Sequence, residues 1–166
     1  MKGNTGMFES FICPKAFRVD YINPQAAHTP QAFALYVRGE MDDRLPYSLR
    51  AKHHLIAGLA LINEYMERDY LVAVYIDIAP LSDCSRQAYA QMKDDIAEGM
   101  FNRVLTVTSS DIMGEPDIDE DILTFARRIP DLQLLTLDGD RFSCIRFENP
   151  YHSLMEGERE FECSTP

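Results

Sequence analysis

Four carboxylates, two arginines and two serines stand where this sequence could carry chemistry: Glu40, Asp42, Asp77 and Asp111, Arg38 and Arg86, Ser109 and Ser110. Carboxylate oxygens suit a hard divalent cation, so Glu40, Asp42, Asp77 and Asp111 would serve metal-dependent phosphoryl transfer or hydrolysis if the fold drew them together. The guanidinium groups of Arg38 and Arg86 would neutralise an anion, above all a phosphoryl group whose charge grows in a transition state. Ser109 and Ser110 carry hydroxyls, but no base is assignable to either, and serines after a strand usually satisfy turn hydrogen bonds. Asp117, Asp119 and Asp121 alternate as in a calcium loop. Ile122 nevertheless stands where a glycine must turn and Arg128 where a bidentate glutamate must close, so they read as acids at a helix start. His53 and His54 are neighbours on an expected helix, about 100° apart; they cannot share a metal and read as one packed and one exposed residue. No glycine-rich phosphate loop occurs, so no cofactor is expected.

The elements that must position these residues alternate along the chain. Apolar runs predict strands over 32–38, 71–78 and 103–108. Between them, Ser48 caps a mostly buried helix running to about Arg68, with Leu55, Leu59, Ile62 and Met66 towards the sheet. Residues 86–100 form a second helix with Tyr89, Met92 and Ile96 on one face and Gly99 placed to stop it. Pro116 fits the first turn of a third helix that ends near Pro130. Two short strands, 132–137 and 141–147, flank Asp138-Gly139-Asp140 and predict an antiparallel hairpin. This order implies an α/β fold, a three-layer α/β/α sandwich around a mixed, mostly parallel five-stranded sheet. Ligands bind such sheets at the carboxyl ends of the strands, which is where Arg38, Glu40, Asp77, Ser110 and Asp111 fall. Residues 1–31 read as an irregular arm, 32–147 as the domain, and 148–166 as a short polar tail without a DNA-binding domain.

Composition narrows the function. With 166 residues, 46% of them hydrophobic, the chain supports one core. Sixteen basic against 27 acidic residues give a net charge of -11, which repels phosphate backbones, so DNA is expected to bind only weakly or through a partner. The longest apolar run, 55–62, is far short of the ~20 residues that span a bilayer, and no apolar signal core opens the sequence. These features predict a soluble, cytoplasmic protein without a membrane partner. Cys13, Cys84, Cys144 and Cys163 are scattered singly and read as reduced thiols.

Several strings resemble the catalytic domain of the serine recombinases, the resolvase and invertase family. Tyr36-Val37-Arg38-Gly39-Glu40 is similar to its Tyr-x-Arg-Val-Ser opening, and Ser48-Leu49 to its Ser-Leu-x-x-Gln helix start, with Lys52 in place of the glutamine. Tyr75-Ile76-Asp77 resembles the end of its second strand. Arg86-Gln87-Ala88-Tyr89, followed by Met92, Asp95, Gly99 and Phe101, resembles its Arg-Pro-x-Phe helix. The resemblance covers about residues 32–147 and implies a resolvase-like fold. It also implies family active-site positions at Arg38, Glu40, Asp77, Arg86, Ser110, Asp111 and Gly114.

The departures matter more. The family's serine attacks a DNA phosphodiester while arginines hold the phosphoryl oxygens. Here Glu40 stands at the nucleophile position, and Asp111 and Gly114 stand where Leu-Asp-Arg-Leu-x-Arg would supply two arginines. Each lost charge-assisted contact costs about 2–4 kcal/mol of transition-state stabilisation, and Asp111 is expected to invert the local field. The resemblance then implies a non-catalytic interaction or regulatory module, working with a protein partner or as a homo-oligomer through an exposed helix face. The competing expectations are the metal-dependent enzyme on the strand-end carboxylates and a DNA-associated accessory to an active recombinase.

Overall fold

The computed structural model describes residues 16–40, 48–78, 86–113, 116–129, 131–138 and 141–146. Six strands form one sheet: β1 (Ala16–Tyr21), β2 (Phe33–Gly39), β3 (Leu71–Ile78), β4 (Arg103–Thr106), β5 (Gln133–Asp138) and β6 (Arg141–Arg146), in the spatial order β1-β3-β2-β4-β5-β6. The neighbours β3, β2, β4 and β5 run parallel, while β1 pairs antiparallel with β3 and β6 with β5. Helices α1 (Leu49–Tyr65), α2 (Gln87–Ala97) and α3 (Pro116–Ala126) make the connections. The chain is therefore an α/β protein with a mixed sheet, and no helix among the described residues is long and apolar enough to cross a membrane.

Strands β2 and β3 are buried along their whole length, as parallel strands with both faces covered must be. Alternate β2 residues enter separate cores. Phe33, Leu35 and Val37 pack with Ala51, Leu55 and Ile62 of α1. Ala34 and Tyr36 pack with Tyr89, Met92 and Ile96 of α2 and with Ile118, Ile122 and Ala126 of α3. The period-2 alternation of strands meets the 3.6-residue period of helices on either side.

Three sequence expectations are corrected. The segment assigned to an irregular arm contains β1, so the sheet has six strands and not five. Phe17-Arg18-Val19-Asp20-Tyr21 alternates apolar and polar residues, the period of a half-buried strand. The long helix stops at Tyr65, with Met66 already extended. Its inward stripe is Ala51, Leu55, Gly58, Leu61 and Ile62, whereas Leu59 is 38% exposed. Gly58 takes an inner position close to Leu35: a Cβ there would lie 2.7 Å from its Cδ1.

Other local signals appear as expected. Ser48 caps α1, its Oγ accepting from Ala51 N at 3.2 Å. Gly99, at φ +79°, ends α2 in a Schellman turn, with Gly99 N–H donating to Ile96 O and Met100 N–H to Asp95 O. Pro116 opens α3, with Asp117 and Asp119 in its first turn.

Candidate functional site

The carboxyl ends of β2, β3 and β4 carry two linked polar clusters. In the first, Asp77 sits at the end of β3, opposite Arg38 of β2. Its Oδ1 accepts from Ala88 N–H, and its Oδ2 accepts from Tyr89 N–H and from the Tyr36 hydroxyl, all at 2.9 Å. Arg86, at the N-cap of α2, gives that helix no side-chain cap. Asp77 replaces the missing cap from a neighbouring strand and places a carboxylate at the positive end of the helix dipole. Burial pushes the Asp77 carboxyl upward in pKa, against the pull of these donors and of the Arg86 charge. Arg86 is 5% exposed and its Nη1 donates to the carbonyls of Asp111 and Ile112, at 2.9 and 3.3 Å. Arg38 is equally buried.

The second cluster surrounds Asp111, which is fully buried in a 3-10 turn, Ser109–Asp111, after β4. Its Oδ2 lies 2.7 Å from His54 Nδ1 and its Oδ1 accepts from Arg50 Nη2 at 3.2 Å. Arg50 and His54 are four residues apart on α1 and so share one face. A neutral His54 would carry its proton on Nδ1 and donate it to Asp111. The Ser110 hydroxyl is turned to Thr108 Oγ1 at 2.9 Å and to Arg50 Nη2 at 3.3 Å.

Asp111 is not an isolated charge, because Arg50 pairs with it and His54 hydrogen-bonds to it. Neither Arg50 nor His54 was singled out for this role by its sequence context; their i, i+4 spacing at the start of a capped helix was the available signal. Two carboxylates of the competing metal reading already have partners. Asp77 is spent on α2 and Asp111 on α1, and among the described residues no three His, Cys, Asp or Glu side chains could hold a metal ion. Glu40 is half-buried at the end of β2. Asp42 and Gly114 lie outside the described residues.

The chain matches no protein-family model, no curated protein and no solved structure. Among its described side chains one device recurs: tyrosine hydroxyls donating to aspartates in or beside the core. Besides Tyr36 on Asp77, the Tyr21 and Tyr75 hydroxyls both donate to Asp95 Oδ2, whose Oδ1 accepts from Gln91. Tyr89 donates to Asp121 at 2.8 Å, beside Lys93 at 2.7 Å. For Asp121 burial alone would raise the carboxyl, but the Lys93 and Tyr89 hydrogen bonds and the Lys93 charge together hold it below its usual range.

These contacts make the phenols hard to ionise. Burial, followed by the Asp95 hydrogen bond and charge, pushes Tyr21 from 10.0 up to about 12. Burial first and a facing carboxylate second also raise Tyr36, Tyr75 and Tyr89. A phenol raised in the folded state contributes stability that is complete below the unfolded value and lost as pH rises through the folded one. Stability should thus hold to about pH 10 and fall above it. Phenolate absorbance followed alongside circular dichroism should show these four tyrosines titrating late, with unfolding. Normal titration of all tyrosines in the folded protein would contradict the hydrogen bonding described.

Proposed function

We propose that this chain is a non-catalytic interaction or regulatory module on a resolvase-like, three-layer frame related to the serine recombinases. The observation that carries this reading is that residues aligned with the family's phosphate site serve as internal fasteners. Arg86 donates to backbone carbonyls, Asp77 caps α2, and Asp111 is held by Arg50 and His54. A guanidinium committed to carbonyls behind a buried carboxylate is poorly placed to follow charge building on a transferring phosphoryl group. Glu40 at the nucleophile position would repel a phosphodiester. The frame is supported by the mostly parallel run β3-β2-β4-β5 closed by an antiparallel last strand, the mixed sheet that the family resemblance implies.

Incubation of the purified chain with a nicked suicide DNA substrate tests the proposal. No covalent adduct and no strand cleavage are expected, and mobility shifts should be absent even at low salt, where electrostatic binding is strongest. A serine-linked DNA adduct would overturn the loss of chemistry. A shift without cleavage would instead favour an accessory role on DNA.

A further inference from the structure

Among the described strands, β1 lies at one edge of the sheet and pairs on one side with β3. Ile22 N–H donates to Val72 O at 2.8 Å, so Ile22 points its backbone groups towards β3. By the alternation of an antiparallel ladder, Asp20 and Arg18 do the same, while Phe17, Val19 and Tyr21 point theirs away from the sheet. Such an edge is a template for another strand. Phe17 is 50% and Tyr21 46% exposed on it, large apolar groups at a rim that ordinary edges blunt.

We propose that β1 is a dimerisation strand, pairing antiparallel with β1 of a second copy about a two-fold axis at Val19 and joining the two sheets into one. This rests on the interaction-module reading and names its partner. The register is self-complementary in three independent respects. Phe17, Val19 and Tyr21, whose amides face outward, meet Tyr21, Val19 and Phe17 of the second copy, so each donates one backbone hydrogen bond and accepts one. The exposed Phe17 and Tyr21 rings become cross-strand neighbours. Arg18 comes to face Asp20 of the second copy. Within one copy these two already form a two-toothed ion pair, Nε–Oδ2 at 2.6 Å and Nη2–Oδ1 at 2.9 Å, and across the axis the charges continue to alternate. Reciprocity of this kind is what an isologous contact requires, and it favours a second copy over an unrelated strand.

Sedimentation velocity of the full chain, from low micromolar to several hundred micromolar, tests the pairing. The wild type should show a concentration-dependent dimer. Val19→Pro removes an outward amide that the β1–β3 ladder does not use, so the fold should persist by circular dichroism while the dimer weakens roughly tenfold or more. Arg18→Glu, which sets like charges across the axis, should also weaken it, and the double swap Arg18→Glu with Asp20→Arg should restore it. The charge series decides the matter if the proline variant misfolds. A wild type that stays monomeric throughout overturns the proposal. So does a dimer indifferent to these substitutions, which would place the contact elsewhere, such as the exposed Ile56 and Leu59 of α1. A DNA adduct in the suicide assay would remove the non-catalytic reading alone, whereas a monomer would remove only the strand pairing.

Discussion

Replacing Asp77 with alanine should cost about 3–5 kcal/mol, because three buried donors lose their acceptor together. Ala88 N–H, Tyr89 N–H and the Tyr36 hydroxyl all converge on this one carboxylate. Two of them are orphan donors of the first turn of α2 with no other side-chain cap, and the alanine variant offers them none. The buried Arg86 guanidinium also loses a neighbouring negative charge, so the loss reaches the carbonyls of Asp111 and Ile112 that Arg86 holds. For a domain of this size the melting temperature should fall by roughly 10 °C. Asp77→Asn keeps one acceptor oxygen but turns an amide N–H2 towards donors, and should fall between the two. A thermal melt of the alanine variant within a degree or two of wild type would show that the β3–α2 junction does not depend on this carboxylate.

The second large effect is expected at Gly39→Ala. A Cβ there would lie 2.3 Å from Ser48 Oγ, 2.6 Å from Ala51 Cβ and 2.9 Å from Ala51 N, so it meets both the capping hydroxyl and the backbone of the first turn of α1. Relief requires the helix start to move, at the combined expense of overpacking and a weakened cap, about 2–4 kcal/mol. Gly58→Ala is the informative contrast. Its Cβ would meet the methyl end of Leu35, which can adjust more readily than backbone, and the exchange gains up to about 1 kcal/mol of helix propensity. Chemical denaturation should therefore rank Gly39→Ala well below Gly58→Ala in stability. Since Arg50 and His54 ride on α1, the Gly39 variant should also loosen their grip on Asp111, visible as faster amide exchange in the 3-10 turn at Ser109–Asp111. Equal stability of the two variants would contradict the close approach described.

Much of the frame was legible because it rests on local rules. The Ser48 cap, Gly99 stop, Pro116 start and apolar runs of β2 and β3 each act within a few residues, and the structure places them where those rules do. The failures are of another kind. Strand β1 carried a correct period-2 signal, but it is short, contains Arg18 and Asp20, and follows a stretch without periodicity, so only its pairing with β3 makes it a strand. Leu59 fitted an inward stripe by spacing, yet the helix turns Ala51, Leu55, Gly58 and Ile62 to the core and leaves Leu59 38% exposed.

At the site, the order and length of the strands legible in the sequence carry Arg38, Asp77 and Asp111 to the carboxyl ends. The excess of acid over base is legible in the sequence too. The partners of these site residues, however, are set by contacts between distant segments. The partners of Asp77 come from β2 and α2, and those of Asp111 from α1 and α2, at separations of up to 57 and 61 residues for His54 and Arg50. Whether a buried carboxylate repels an anion, binds a metal or fastens two helices depends on which donors lie within about 3 Å of it, and long-range packing sets that distance.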